Sequence, residues 1–584
     1  MPDTARLLSP ARPRRPNVMA RWHVVVSGHY WASQAGFQIL EAGGNAIDAG
    51  IATGLAIDVL ESQFVGFGGV APIMIYLADT NEVVTLNGVG PWPQAASAKL
   101  FRDRYAGCIP DGLLQCVVPA APGNWIEALA RYGTMSFGEV AAAAIRFARE
   151  GFPTYPFFTE IITAKQDEIR AWPTTSRIFL PADRPPVIGT NFVQTDLAHS
   201  LQYMVDQERA HAGHNRLDGL RAAHDAFYRG DLAAAIVRHQ RENGGLLTRE
   251  DLASFRPLIE APCHVHFGGF DVYGCGAWSQ GPMVLETLNI LERLDLHGMG
   301  HNSPAYIHAV TEALKLAAAD REAYFGDPSF VDVPLDVLLS KSYAADRRAQ
   351  LNPARAWPAM PPHGCATDTP PAPWQPDPSA ASEPPGETVE TATSFLCVAD
   401  AAGNVFSATP SDGTIGGPVV PGTGIMVSMW GSRGYTAETH PGKVGPGRRP
   451  RMSANPAIAI KPGECVVPFG SPGSEVLGQA MVQAFLNMAV FEMDPQSAVE
   501  APRFASYSWP ESALPHAYRP GQLNLEADIG AATGDALADL GHRIKWWPER
   551  KYAAGSVCTI LSDLESGVKW AGADPRRTAY AVGW

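Results

Sequence analysis

Between His23 and Asn87 the apolar residues change spacing several times. The run His23-Val24-Val25-Val26-Ser27 predicts a short strand over 23–27. Residues 31–42 follow with apolar side chains at helical spacing and stop at Gly43-Gly44, a pair suited to ending a helix. An alanine-rich stretch from Ala46 to Leu60 predicts a second helix. The glycine-dense run Gly66-Phe67-Gly68-Gly69 reads as a buried, tightly packed turn before strands over 72–78 and 82–87. From 120 to 350 the pattern is mostly helical, with helices predicted near 123–132, 137–150, 196–207, 231–242 and 304–324. The alternation Cys263-His264-Val265-His266-Phe267 and the run Phe270 to Tyr273 predict a hairpin within 260–275.

The texture then breaks. Residues 354–389 are crowded with proline, alanine and acidic side chains, a composition unable to bury enough surface to order itself, and an exposed mobile linker is expected there. Strands return at 393–399, 404–408, 456–460 and 464–469, followed by a helix at about 475–492. A helix-rich first part thus meets a strand-led second part at a flexible seam. This pattern alone says only mixed α/β.

Composition narrows the classes. A formal charge of -14 over 584 residues argues against a nucleic-acid partner, whose phosphates call for clustered Lys and Arg. No run of about 18 apolar residues is present, so no membrane span is predicted. Met1 to Asn17 carries Arg12, Arg14 and Arg15 and lacks the apolar core of a secretory signal. It reads as a short disordered arm, and the cytoplasm is the expected location. The eight cysteines contain no C-x-x-C pair and read as small core hydrophobes. The 66–69 glycines lack the Lys-Ser/Thr of a phosphate loop. His264 and His266 could share one strand face around a metal, but without a third ligand nearby in sequence they read as strand histidines.

At the seam, Glu390-Thr391-Ala392-Thr393-Ser394-Phe395-Leu396-Cys397-Val398-Ala399-Asp400 sets a threonine at the head of an apolar strand. Alone this is weak, since β-branched threonine begins many strands. Blocks elsewhere add to it: Ala32-Ser33-Gln34-Ala35-Gly36, Glu41 to Ala49, Glu61-Ser62-Gln63 with Gly66 to Gly69, Ala226 to Gly230 with Gly244 to Thr248, Ala319-Asp320-Arg321 through Gly326-Asp327-Pro328, Pro421 to Ile425, and Phe469 to Gly473. In this order they resemble the gamma-glutamyltranspeptidase family of N-terminal-nucleophile hydrolases. The resemblance implies an α+β fold, a four-layer αββα sandwich, and a chain that matures into a large piece, 1–392, and a small piece, 393–584.

Asp400 and Gly403-Asn404 match the end of the family's nucleophile strand, which places the nucleophile at Thr393 and the cleavage between Ala392 and Thr393; Thr391 is the nearby rival. A free α-amine of the kind exposed there ordinarily titrates at about 8, close enough to working pH to act as general base for the hydroxyl on the same residue. By resemblance, the supporting hydroxyl falls on Ser411, with Thr409 competing. The oxyanion hole falls on the backbone amides of Gly473 and Ser474, donors each worth on the order of 10²–10³ in rate. No metal or organic cofactor is implied. The expected partner is a small amide or peptide substrate, and the two pieces are expected to stay together as a heterodimer, a homo-oligomer of these being open.

Substrate recognition departs from the family. The arginine that clamps a glutamyl α-carboxylate falls on Val89, the serine pair on Met452-Ser453, and the aspartate for the substrate ammonium near Arg433-Gly434, where the sequence has no acid. Losing both ionic clamps removes roughly 3 kcal/mol or more of glutamyl binding. Arg433, Arg448, Arg449 and Arg451 could meet an acidic acyl group or could pair with carboxylates of the protein. Trp430 and Met452 would make the pocket more apolar. The expectation is an autoprocessing amidohydrolase or acyl transferase with a non-standard acyl group. The alternatives are a true gamma-glutamyl transferase or glutathione hydrolase, and an unprocessed binding relative.

Overall fold

A computed structural model describes residues 14–213, 215–371, 393–548 and 552–584. At its centre lie two seven-stranded sheets. The first runs in the order Tyr580–Gly583, Val24–Ser27, Leu396–Ala399, Val405–Ala408, Ile73–Leu77, Glu82–Leu86, Ile259–Glu260. The second runs Val18–Ala20, Lys569–Ala573, Cys558–Asp563, Cys465–Gly470, Ala457–Lys461, Phe270–Gly274, Cys263–Phe267. Each pairing in both sheets is antiparallel.

Successive residues of a strand face opposite ways, and here both faces are dry. Val25, Leu396, Val398, Phe406, Ile73 and Ile75 pack outward with the helices Tyr30–Glu41, Ala46–Leu60 and Phe137–Glu150. Their neighbours Val24, Val26, Cys397, Ala399, Val405 and Met74 face the second sheet and meet Ile458, Ile460, Val466 and Ile560. That sheet's far side, with Ala457, Ala459, Val467 and Phe469, is covered by the helices Gly281–Leu291, Pro304–Tyr324 and Val476–Ala489. The result is helices, sheet, sheet, helices: the four-layer sandwich that the resemblance implied.

Helix Ala46–Leu60 is buried on every side. It begins at a capping box in which Asn45 accepts from the amides of Ile47 and Asp48, and Asp48 accepts in return from the Asn45 amide. Small residues let it lie close to the sheet: a Cβ on Gly50 would fall 2.2 Å from the Phe406 ring. The Asp400 carboxylate accepts from the Ala46 amide at 2.9 Å and from the Asn404 amide at 2.9 Å, so the turn closing the seam strand also anchors this helix.

Three expectations change. Gly66–Gly69 lies within a strand, Val65–Val70, that pairs with Ser411-Asp412 across a bulge. Close approach explains the glycines, because a Cβ on Gly68 would sit 2.2 Å from the Met426 carbonyl oxygen and one on Gly69 2.4 Å from that of Ser411. The proline-rich stretch is not mobile from its start. The Ala356 amide bonds to Leu540, that of Trp357 to Glu312 and that of Gly364 to Asp320, so 354–371 is strapped to the helix Pro304–Tyr324 and its surroundings. Residues 372–389 lie outside the described residues. The N-terminal arm is also held from residue 14, where the Arg14 and Arg15 amides donate to Glu500 and Val18–Ala20 joins the second sheet.

Candidate active site

Thr393 stands just before the strand Leu396–Ala399 and is 1% exposed. Its amide donates to the Phe64 carbonyl at 3.0 Å and the next amide, of Ser394, to Pro410 at 2.9 Å. Its carbonyl accepts from Nη1 of Arg577 at 2.9 Å. These contacts hold the backbone at φ 93°, a region in which a β-branched residue is a conformational outlier. The hydroxyl lies 2.8 Å from Oγ of Ser411, its one hydrogen-bond partner among the described residues. Thr409, the competing candidate, is buried and its hydroxyl has no partner among the described residues. Ala392 and Thr391 lie outside the described residues.

The loop after Cys465–Gly470 reaches the same end of the sandwich: Gly470 lies so close under the Phe395 ring that a Cβ there would be 2.2 Å from it. Gly473 has φ 129° and Ser474 φ 49°, and among the described residues no acceptor meets either backbone N–H. Just behind them the helix Val476–Ala489 begins, so these amides stand at its electropositive end. Glu475 ties the loop down, accepting from Arg321 at 2.6 Å, from Trp509 at 3.0 Å and from the Ser512 amide at 2.8 Å. The Arg321 cation, aided by those donors, holds the Glu475 carboxyl below its usual range against the opposing effect of burial.

The expected pocket residues separate. Val89 is wholly buried in the core between the sheets, with its amide bonded to Asn87. Met452 fills the same core and its amide is bonded to Trp278. Ser453 is buried and its hydroxyl has no partner among the described residues. The Arg433 guanidinium stacks on the Trp430 ring at 3.6 Å and donates to Ser432 at 3.0 Å. Its neighbours in sequence are already engaged. Arg449 meets Asp327 through its amide at 2.8 Å, Arg451 pairs with Glu322 at 2.6 Å, and Arg448 stacks on Phe330 at 4.9 Å.

Three groups escaped the sequence. An acid does face Arg433: it is Asp412, next to Ser411, with φ 81° and a carboxylate accepting from Ser428 at 2.6 Å. Burial pushes it up to about 6, opposed by the Ser428 bond and the Arg433 charge. Glu61, at the end of helix Ala46–Leu60, lies wholly buried beside Ser394; burial raises its carboxyl, while Ser394, Arg577 and Thr578 oppose the shift. Arg577 is the third. The only sequence signal was the basic pair Arg576-Arg577 near the chain's end, far from Thr393.

One further cluster could hold a metal by composition. His308, Glu312 and His542 bring ligand atoms within 4.8 Å of one another. Lys315, however, occupies Glu312 at 2.7 Å and the imidazoles bond each other at 2.9 Å, so the cluster is complete as a hydrogen-bonded unit. His264 and His266 are occupied as well, stacked on Tyr273 and paired with Asp271 across the hairpin.

A threonine hydroxyl whose hydrogen-bond partner among the described residues is a serine, set in this sandwich, points to the N-terminal-nucleophile class of hydrolases. Within that class the chain belongs to the gamma-glutamyltranspeptidase family, whose sequence profile matches residues 32–584. It is 33% identical to the acylase ACY 1 proenzyme of Pseudomonas sp. (strain SE83), over 89% of this chain and 87% of that protein. It is 32% identical to the glutathione hydrolase-like YwrD proenzyme of Bacillus subtilis (strain 168), over 97% and 99%. The crystal structure of cephalosporin acylase from Bacillus halodurans superposes with a TM-score of 0.84 at 28% identity, covering 99% of this chain and 98% of that one. The chain is thus an enzyme that acts on amide bonds. No helix among the described residues is long and apolar enough to cross a membrane.

Proposed function

We propose that the chain cleaves itself once, between Ala392 and Thr393, and then uses Thr393 as the nucleophile of an amidohydrolase or acyl transferase. In maturation the Thr393 hydroxyl attacks the Ala392 carbonyl, the peptide C–N bond breaks, and the proton passes to the departing nitrogen. Water hydrolyses the resulting ester, leaving an Ala392 carboxylate and a free Thr393 amine. That amine then takes the hydroxyl proton during attack on a substrate amide and gives it to the leaving amine. Water or an acceptor amine releases the acyl group. Ser411 supports the hydroxyl, and the Gly473 and Ser474 amides are suited to the oxyanion.

The observation that carries this reading is the 2.8 Å contact between the Thr393 and Ser411 hydroxyls. The two pieces, 1–392 and 393–584, would remain one folded unit, because the strand Leu396–Ala399 is paired on both sides with strands that hold the sheet together.

For the acyl group, Arg433 supports a substrate with a carboxylate where a glutamyl group would present its ammonium. The naming of relatives as acylases agrees with a departure from glutathione. Asp412 supports the second reading, a true glutamyl pocket with its acid supplied from a different strand. Profiling purified protein against gamma-glutamyl, glutaryl and simple acyl anilides separates them. A glutaryl preference is expected, and fast glutamyl turnover overturns it. A single full-length band on a denaturing gel would instead mark an unprocessed binding protein.

A further inference from the structure

Arg577 is a buried cation placed on the backbone of the nucleophile. Its side chain is 7% exposed, Nη1 bonds the Thr393 carbonyl at 2.9 Å, and its guanidinium lies over the Phe64 ring at 4.7 Å. Phe64 is also the residue whose carbonyl accepts from the Thr393 amide. Both ends of Thr393 are thus gripped by one stacked pair. The remaining guanidinium nitrogens, Nε and Nη2, are buried and have no hydrogen-bond partner among the described residues.

A cation on the carbonyl oxygen of a residue lies on the order of 5–6 Å from that residue's own nitrogen by covalent geometry. At that range a like charge disfavours protonation of the amine. The groups facing Arg577 are Glu61 from the end of helix Ala46–Leu60, Tyr155, Tyr552 and Asp574. Asp574 is already engaged by Arg503 and Arg576. Burial works against the charged form of Glu61, while Ser394, Arg577 and Thr578 work for it. The guanidinium is the cation set directly on the nucleophile's own carbonyl.

We propose that Arg577 is a positioning residue for Thr393, holding its carbonyl in the left-handed conformation and keeping its freed amine unprotonated so that it can act as base. This rests on Thr393 being the nucleophile. Two substitutions divide the roles: R577Q keeps a donor for the carbonyl and removes the charge, and R577K keeps the charge.

The experiment follows self-cleavage by gel and then kcat/KM against pH for the matured full-length chain, with melting curves to compare folding and T393A as a separate control. R577Q is expected to move the acid limb up by about one pH unit, while R577K leaves the limb in place and cleaves within about threefold of wild type. An unshifted limb in R577Q overturns the proposal, as does equal impairment of both variants without a shift. If R577Q fails to fold, the R577K profile decides: a wild-type limb supports the charge, and a raised limb overturns it. Cleavage or turnover surviving in T393A sinks the nucleophile reading instead, whatever Arg577 does.

Discussion

The nucleophile's cradle and the pocket wall are built on different terms. Around Thr393 the main chain is held by the Phe64 carbonyl and the Arg577 guanidinium, with Ser394 bonded to Pro410, and the hydroxyl's partner Ser411 sits on a strand paired to the glycine-rich Val65–Val70. The expected pocket wall is made of side chains outside the two seven-stranded sheets: Arg433 on Trp430 in a single 3-10 turn, Ser428 on Asp412, and Ser453, whose hydroxyl has no partner among the described residues. Breaking an amide limits which groups can serve, and the sheet holds them. Choosing an acyl group asks only for complementary charge and shape, which loops can change without disturbing the sheet. Family membership therefore predicts the first region better than the second.

Removing the nucleophile should have the largest effect. T393A is expected to leave the chain uncut and lower turnover by about 10⁴-fold or more, as loss of a covalent nucleophile does elsewhere. Turnover by uncut T393A would dissolve the distinction between cradle and wall. A charge reversal in the wall comes next. R433E should change the ratio of kcat/KM for glutaryl over gamma-glutamyl anilides by about 100-fold, against the glutaryl compound, with self-cleavage intact. An unchanged ratio would place the selective group elsewhere. S411A is expected to lower kcat about 10–100-fold by loss of one hydrogen bond to the reacting hydroxyl, with KM nearly constant.

The smallest effect is on stability. Burial lifts the Asp412 carboxyl to about 6, so the folded state prefers the protonated acid. The stability this gives is complete below about pH 4 and is lost as pH rises through about 6. D412N should then stabilise the protein by about 2 kcal/mol at pH 8 and by nothing measurable at pH 4, in denaturant titrations at the two pH values. Equal stability of the two chains at pH 8 would mean that solvent or Arg433 relieves the burial.

Much of the frame was legible. The helix Ala46–Leu60 and the helix Pro304–Tyr324 fall where the pattern set them, since long apolar periods leave few alternatives. Gly66–Gly69 was misread because glycine serves a tight turn and a closely approached strand equally well; only the Met426 and Ser411 carbonyls above it distinguish the two. The stretch 354–371 misled by composition, its order coming from partners such as Glu312 and Asp320 on a distant helix. Thr393 and Ser411 were located by resemblance to the family's blocks, and the structure brings their hydroxyls within 2.8 Å of each other. Asp412 was adjacent to Ser411 yet passed over, since nothing local shows that Arg433 lies across from it. Val89 and Met452 were located by correspondence alone, and the inter-sheet core had already claimed their side chains. The basic pair holding Arg577 could not by itself point to the site, because its meaning depends on a contact spanning 184 residues.

Sequential degradation of the smaller fragment from its amino end goes straight to the claim on which the chemistry depends. It should read Thr-Ser-Phe-Leu, the residues from 393 onward, in a protein that runs as two bands. A fragment beginning at any other residue, or a fully active chain that never divides, would contradict it.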